Sequence, residues 1–302
     1  MNEVFRLREG QPVVWYSRDL AQSNHFCLYC AAFVGPGSSL PSDKEHLVGR
    51  KFVPSGYLDG NSFNFIFRAC RPCNACKADA ERHVSTVTLL TTPERASDPV
   101  IDAIAVRKAS SDFHPVERGK RVGETFVEDE VVLPAVWGTV KLGMVGPPPL
   151  AQEPACLLAI RQVQALFSLV TTEDPRVRDS TRVLPPQNAI VFGIYNRTDW
   201  GNPQLLELAR RTKGWACRLK LVTARGYFKA LLLRSSVDTD GWFWALEWNC
   251  SFRVAGAIGD PQKLPTWLVD DLPSLEWSPP GPFRFRREVL LPDEDEDLFD
   301  FN

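Results

Sequence analysis

The chain has 302 residues, of which 44% are apolar and 24% are charged, a composition typical of soluble globular proteins and not of disordered or fibrous ones. It has no apolar run of about 18 residues that would predict a membrane span, and its first residues lack the apolar core of a signal peptide. We therefore expect a cytoplasmic protein, in which paired cysteines are metal ligands more often than disulfides.

The formal net charge of −2 conceals an uneven distribution of acids. Residues 293–302 read Asp-Glu-Asp-Glu-Asp-Leu-Phe-Asp-Phe-Asn, without a single base. Without them the chain is slightly basic, which permits nucleic-acid binding but does not argue for it strongly. We expect residues 291–302 to be a disordered acidic tail that competes with DNA for a basic surface, docks its Leu and Phe on a partner, or only solubilises the chain.

The N-terminal part begins with two short predicted strands and continues into a ββα pattern. Residues 44–51 and 64–68 alternate as strands, and Asn74 is expected to open a helix of good helix formers. A second helix is predicted over residues 98–109. Prolines and glycines near residue 146 predict a linker, so we place the domain boundary between residues 115 and 150. The first two strands are predicted at residues 4–8 and 12–16.

The C-terminal part mixes helices and strands, which predicts an α+β domain with an antiparallel sheet. Residues 218–234 have the pattern of a hairpin that turns near Arg225 and Gly226. The tryptophans of residues 241–248 are expected in the core, although they could stack on unpaired bases. The other predicted elements are helices at 155–171 and 203–212 and strands at 188–196, 241–248 and 251–257. The predicted domains are 1–122, 123–290 for substrate or partner recognition, and the tail 291–302.

Four cysteines in the first third of the chain form two closely spaced pairs. Cys27-x-x-Cys30 and Cys70-x-x-Cys73 can supply four thiolates to one tetrahedral Zn²⁺. Such a site closes all four coordination positions and stabilises a loop-rich region with little apolar core. The pattern therefore predicts a structural zinc with these four ligands. Cys76 lies outside both pairs, and we expect it to be an idle thiol.

Four other residues are interleaved with the cysteine pairs. Glu45 and His46 lie between the pairs, Asn74 directly follows the second pair, and His83 comes nine positions later. Taken together, this order resembles the HNH endonuclease family in its zinc-ribbon form, over roughly the first 90 residues. The resemblance implies that residues 1–122 form a ββα unit that is stabilised by zinc and binds one further divalent metal. The resemblance does not extend to the rest of the chain.

The resemblance also implies a role for each interleaved residue. Glu45 and His83 would hold the catalytic metal, His46 would be the general base, and Asn74 would brace the loop that carries the base. A carboxylate is a hard ligand suited to Mg²⁺ or Mn²⁺, and a neutral imidazole can take a proton from water near neutral pH. Adjacent strand residues project to opposite faces, so Glu45 and His46 must lie at a strand end or bulge to reach one site.

The expected reaction is metal-dependent hydrolysis of DNA phosphodiester bonds, with RNA as a further possible substrate. The resemblance is compatible with roles in restriction, anti-phage defence or mobile elements, and the sequence does not choose among them. The alternative is a zinc-stabilised nucleic-acid-binding protein without catalysis. Asp79 and Glu81 are the alternative metal ligands. Candidate phosphate contacts are Arg50, Lys51, Arg68, Arg71 and Lys77.

Overall fold

A computed structural model describes residues 4–7, 22–59, 62–172, 176, 183–197, 202–235, 241–262, 266–274 and 298–299. Within these ranges the chain forms ten strands and four α-helices. The strands are β1 (Val4–Leu7), β2 (Ser42–His46), β3 (Ile66–Cys70), β4 (Val127–Ala135), β5 (Gly138–Gly146), β6 (Ala189–Asn196), β7 (Ala216–Thr223), β8 (Phe228–Arg234), β9 (Trp242–Trp248) and β10 (Phe252–Ile258). The helices are α1 (Arg71–Leu90), α2 (Pro99–Ser111), α3 (Gln152–Thr171) and α4 (Pro203–Arg211).

The N-terminal part contains the predicted ββα arrangement. Strands β2 and β3 are antiparallel, with Ser42 opposite Cys70 and His46 opposite Ile66. Helix α1 follows β3 directly, with a proline in its first turn, a position where the missing N–H costs nothing. The helix begins at Arg71, three residues before the predicted start. Asn74 therefore lies in the first helical turn and not at the junction between loop and helix.

The C-terminal part is an antiparallel six-stranded sheet in the order β1-β7-β8-β9-β10-β6, which confirms the predicted α+β class. The predicted hairpin is β7–β8, and its turn places Arg225 at φ 55° and Gly226 at φ 92°. A glycine adopts this left-handed conformation without steric cost. The first predicted strand is the edge strand β1 of this sheet, whereas the strand predicted at residues 12–16 lies outside the described residues.

Helix α3 packs against one face of the six-stranded sheet. Trp248 Nε1 donates a hydrogen bond of 2.9 Å to Gln162 Oε1, and Gln164 Nε2 donates one of 2.6 Å to the Leu184 carbonyl. Among the described helices, α3 alone is long and apolar enough to span a membrane, but 67% of its apolar window is buried inside the protein. These contacts are those of a core helix.

One apolar core joins the two domains predicted at 1–122 and 123–290. Buried residues from α1, α3 and the inner face of the sheet belong to the same cluster. Asn249 Nδ2 donates hydrogen bonds to the Phe52 carbonyl at 3.1 Å and to Thr88 Oγ1 at 2.8 Å. Thr223 Oγ1 likewise donates one of 2.6 Å to the Phe63 carbonyl. The sheet therefore supports the ββα unit directly.

Two segments differ from their sequence-based description. The β4–β5 hairpin, whose turn exposes 98% of Trp137, lies where the sequence predicts no strands, and the predicted linker follows it as irregular chain at residues 147–150. The tail was expected to be disordered, but Leu298 and Phe299 are buried on the outer face of the sheet, away from α3. The β4–β5 pairing is local, whereas the burial of Leu298 and Phe299 depends on residues that are distant in sequence.

Candidate functional site

The four predicted zinc ligands lie together. The Sγ atoms of Cys27, Cys30, Cys70 and Cys73 are all within 4.8 Å of one another. The first pair is held in a tight turn, in which Cys27 N donates to the Ala32 carbonyl at 2.8 Å. The second pair spans the junction of β3 and α1, so the cluster fixes the start of the helix against the preceding strands.

The chemistry of this cluster fits a cation. Burial raises the pKa of the Cys27 thiol to about 12, and burial and the neighbouring sulfurs also raise the pKa of Cys73. Four thiolates this close together repel one another unless a metal neutralises them. The donor set fits tetrahedral Zn²⁺ in a closed structural site. Cys76 is exposed and lies outside the cluster.

Glu45 faces helix α1 and is bound there by a lysine. Lys77 Nζ lies 2.7 Å from Glu45 Oε1 and 2.7 Å from Glu81 Oε1, and it donates a further bond of 2.9 Å to the His46 carbonyl. Only 1% of Lys77 is exposed. Burial lowers the pKa of Lys77, but the two carboxylates more than offset this, and the pKa is raised. Lys77 is therefore a permanent buried cation and not the phosphate contact that we predicted.

His46 is the last residue of β2, and its side chain projects away from that of Glu45. Its Nε2 is buried and has no hydrogen-bond partner among the described residues. Burial and nearby cations, Lys44 first, lower the pKa of His46 to about 4. The imidazole is therefore neutral at neutral pH, with a ring nitrogen available to accept a proton.

His83 lies on a different side of α1 from Lys77, because six helical residues correspond to a rotation of roughly 240°. Its Nε2 accepts a hydrogen bond of 3.0 Å from the Ala151 backbone N–H, and its ring packs edge-to-face on His114 with the centroids 5.0 Å apart. Because Nε2 is an acceptor, the proton of neutral His83 is on Nδ1. This contact leaves His83 without a free lone pair for a metal.

The predicted catalytic metal site is not assembled. In the described part of the chain, the four cysteines are the one group of three or more metal-binding side chains that converge. Glu45 contacts Lys77, whereas His83 contacts the start of α3, so the structure does not bring Glu45, His46 and His83 together. The helical spacing of His83 is compatible with several orientations, and packing against α3 decides which one forms.

The loop after His46 is braced by residues other than Asn74. Asn64 Nδ2 donates a hydrogen bond of 2.7 Å to the Val48 carbonyl, and Glu81 Oε1 accepts one of 2.9 Å from Gly49 N. The Asn74 side chain makes no hydrogen bond to another described residue and is partly exposed, one turn before Lys77 on the same side of α1. The spacing of Asn74, Lys77 and Glu81 is the sequence signal for this shared helix face.

Comparisons of the chain with protein-family models, with curated proteins and with solved structures found no match. The resemblance to HNH enzymes therefore stays an expectation from the sequence motif alone. Of the residues in this motif, the four cysteines lie together and His46 lies at the end of β2. Glu45 instead contacts Lys77, and His83 accepts a hydrogen bond from Ala151.

The other predicted phosphate contacts differ in exposure. Arg50 and Lys51 are exposed on the loop after His46. Arg71 is also exposed and pairs with Asp43 at 3.2 Å, whereas Arg68 is half-buried and donates to Ser42 Oγ at 3.2 Å. The exposed side chains of Arg50 and Lys51 can contact phosphates. The ion pair of Arg71 with Asp43 lies on the surface and contributes little to stability, so Arg71 can exchange Asp43 for a phosphate.

Proposed function

We propose that the chain is an HNH-type endonuclease that hydrolyses phosphodiester bonds of DNA, with His46 as the general base. The observation that carries the proposal is the position of His46: a neutral imidazole at the end of β2, with an unpartnered Nε2, in a ββα unit closed by four cysteines. A buried polar nitrogen without a partner costs roughly 1–3 kcal/mol, which a bound water molecule or a substrate group would recover.

The proposed step is the activation of water by His46. The imidazole takes a proton from water, the hydroxide attacks phosphorus, and the bond from phosphorus to the leaving oxygen breaks. The leaving oxygen then takes a proton from solvent. Because Nε2 is shielded in the free protein, the covering side chains have to move when substrate binds. The low pKa keeps His46 neutral before the reaction, and the negative charge of a bound phosphate would raise that pKa towards neutral pH, where an imidazole accepts a proton most efficiently.

The expected Mg²⁺ or Mn²⁺ does not fit the predicted ligand set. Glu45 already contacts the ammonium of Lys77, and His83 Nε2 already accepts a backbone hydrogen bond. The proposed reaction therefore uses no metal held by Glu45 and His83. A zinc ion held by Cys27, Cys30, Cys70 and Cys73 would have all four positions filled by thiolates, so it would stabilise the ββα unit and take no part in the chemistry.

The surface around His46 suits a phosphate polymer. Lys44, Arg50 and Lys51 are exposed within a few residues of the imidazole. Exposed cations on the end of β2 and on the loop after it attract a nucleic-acid backbone through a salt-dependent electrostatic interaction. This support does not distinguish DNA from RNA, so both polymers belong in the test.

A second candidate function is favoured by the Lys77 ion pairs. An ammonium between Glu45 and Glu81 supplies a fixed positive charge where the HNH resemblance implies a metal. A domain of this kind would bind nucleic acid through its basic loop without cutting it. In this case zinc is the only metal that the N-terminal unit needs.

Cleavage assays separate the two candidates. Supercoiled plasmid and a labelled RNA are incubated with the protein in chelator-treated buffer, with Mg²⁺ and with Mn²⁺. The nuclease proposal predicts nicking of plasmid by the wild type and loss of nicking in His46→Ala at equal zinc content. Lys141→Ala is the matched control and should cut normally, because Lys141 is exposed on β5 and pairs with Glu130. No nicking by the wild type, together with salt-dependent binding, would support the second candidate instead.

A further inference from the structure

The six-stranded sheet ends in a strand with one free edge. Strand β6 is last in the strand order and pairs with β10 on one side, and on its other side it pairs with no strand in the described part of the chain. Such an edge presents backbone N–H and C=O groups with which another extended chain can pair. Many proteins block their edges with charged side chains or prolines, and β6 contains neither.

The hydrogen-bond pattern shows which groups of β6 are unpaired. The Arg197 N–H, just beyond the strand, donates to the Ser251 carbonyl at 2.7 Å. Because hydrogen-bonded and non-hydrogen-bonded pairs alternate along antiparallel strands, Asn196 and, two residues earlier, Ile194 lie in non-hydrogen-bonded pairs with β10. Their N–H and C=O groups therefore point away from β10. Within the described ranges these groups have no other backbone or side-chain partner.

A bulge sets the length of this edge. The register between β6 and β10 skips Phe192, which has no partner on β10. A bulge bends its strand and interrupts the ladder. The regular free edge is therefore formed by residues 193–196, where Ile194 and Asn196 together offer two N–H donors and two carbonyl acceptors.

A cleft of about 950 Å³ lies along this edge. It is lined by residues of β6 and by residues 146–150, the segment that leads from β5 into α3. Three consecutive prolines occupy positions 147–149 of that segment. Because proline has no N–H, the segment cannot form a ladder with β6, and the edge beside it stays unpaired.

Apolar side chains from three strands also line the cleft. Val127, Ile194 and Phe252 belong to β4, β6 and β10 respectively. Of the polar side chains in the lining, the hydroxyls of Thr91 and Ser251 are hydrogen-bonded to each other. The cleft therefore combines free main-chain hydrogen-bonding groups with apolar contacts, and this combination binds extended peptides at the edges of sheets.

We propose that the free edge of β6 is a docking site for an extended peptide segment of another protein, which adds to the sheet beside β6. The backbone of the peptide would pair with Ile194 and Asn196, and its apolar side chains would pack in the cleft. A cleft of this volume fits a single extended segment, whereas the β6 strand of a second copy would bring β10 and residues 146–150 with it. The proposal concerns the C-terminal sheet, so it holds or fails independently of His46.

The test measures the binding of fluorescein-labelled peptides to the full chain by fluorescence anisotropy. The probes are three peptides of the form Lys-Thr-X-Thr-X-Thr-X-Lys, with Val, Leu or Phe at every X, and at least one of them should bind saturably. An analogue of that peptide with N-methyl groups on its six central amides keeps the side chains but loses the N–H donors. It should bind more weakly by roughly tenfold or more, because the carbonyls of β6 would lose their partners.

A variant of the protein tests the same pairing from the other side. Asn196→Pro removes one of the two free N–H donors and should weaken peptide binding by roughly tenfold. Asn196 is exposed and its N–H takes no part in the ladder, a position at which an edge strand tolerates proline. Asn196→Ala is the matched control, because it removes the same side chain and keeps the N–H, and it should bind like the parent.

Three results would overturn the proposal. The first is that none of the three peptides binds. The second is equal affinity for the N-methylated and the parent peptide, because apolar contacts alone would then hold the peptide. The third is a dimer, seen by light scattering, that becomes monomeric in Asn196→Pro while peptide binding does not change, because the edge would then pair with a second copy. The N-methylated peptide requires no change in the protein, so this comparison remains decisive if Asn196→Pro fails to fold.

Discussion

The ammonium of Lys77 lies 2.7 Å from Oε1 of Glu45, on the buried side of the strand that ends with His46. The ion pair joins α1 to β2, and the further bond from Lys77 to the His46 carbonyl fixes the backbone that carries the imidazole. Through these contacts a side chain that we assigned to the substrate instead holds the site together.

Replacing Lys77 should destabilise the protein. Lys77→Met leaves Glu45 and Glu81 near each other without a counter-charge, and breaking a buried pair in this way costs about 3–5 kcal/mol. Chemical denaturation of the zinc-loaded protein measures the change. Lys51→Met is the matched control, because Lys51 is exposed and such substitutions stay within about 0.5 kcal/mol. Equal stabilities of the two variants would show that the buried ion pairs contribute nothing.

Zinc content provides a second prediction. Elemental analysis should find one zinc ion per chain, and Cys27→Ser should lose it together with the cooperative unfolding of the ββα unit. The reason is that structural zinc sites bind with about 10–16 kcal/mol and that this binding free energy stabilises the fold, so weakening the site weakens the folded state. Cys76→Ser should retain the metal and the stability of the wild type, since Cys76 lies outside the cluster. Zinc retained at full stoichiometry in Cys27→Ser would contradict the ligand assignment.

The dependence of stability on pH should reveal the buried state of His83. Burial lowers the pKa of His83 in the folded protein to about 4, from an ordinary value of 6.5. The unfolded chain therefore binds a proton more readily, so this contribution to stability is complete above pH 6.5 and is lost as the pH falls towards 4. The expected loss is about 2–3 kcal/mol over that interval.

The variant His83→Gln isolates this contribution. Its amide oxygen can still accept the Ala151 hydrogen bond, but it does not titrate. The free energy of unfolding is measured for both proteins between pH 7 and pH 4. The wild type should lose more stability than the variant as the pH falls, and parallel curves would show that His83 is not buried in the neutral state.

The zinc cluster and the ββα unit could be predicted from the sequence because their signals are local. Two Cys-x-x-Cys pairs fix four ligands, and the alternation of β2 and β3 and the helix formers of α1 are present within short windows. The turn at Gly226 follows from the same kind of local signal. Such features can be predicted without knowing which residues pack against them.

The partners of Glu45 and His83 could not be predicted in the same way. The helical spacing of Lys77, Glu81 and His83 defines their relative directions, but the packing of α1 between β2 and α3 decides which direction meets which element. The β4–β5 hairpin was not predicted, and the proline-rich segment that predicts a linker follows it at residues 147–150. The burial of Phe299 was not predicted because an acidic tail gives no local indication of the sheet face on which it packs.

Chemical rescue of His46 tests the central claim most directly. The cleavage rate of a labelled DNA is measured for the wild type and for His46→Gly at equal zinc content, with and without added imidazole. If His46 is the general base, the variant should be slower by roughly 10²–10⁴-fold, and imidazole should restore part of the rate. A variant that cleaves as fast as the wild type, or a wild type that does not cleave at all, would contradict the account.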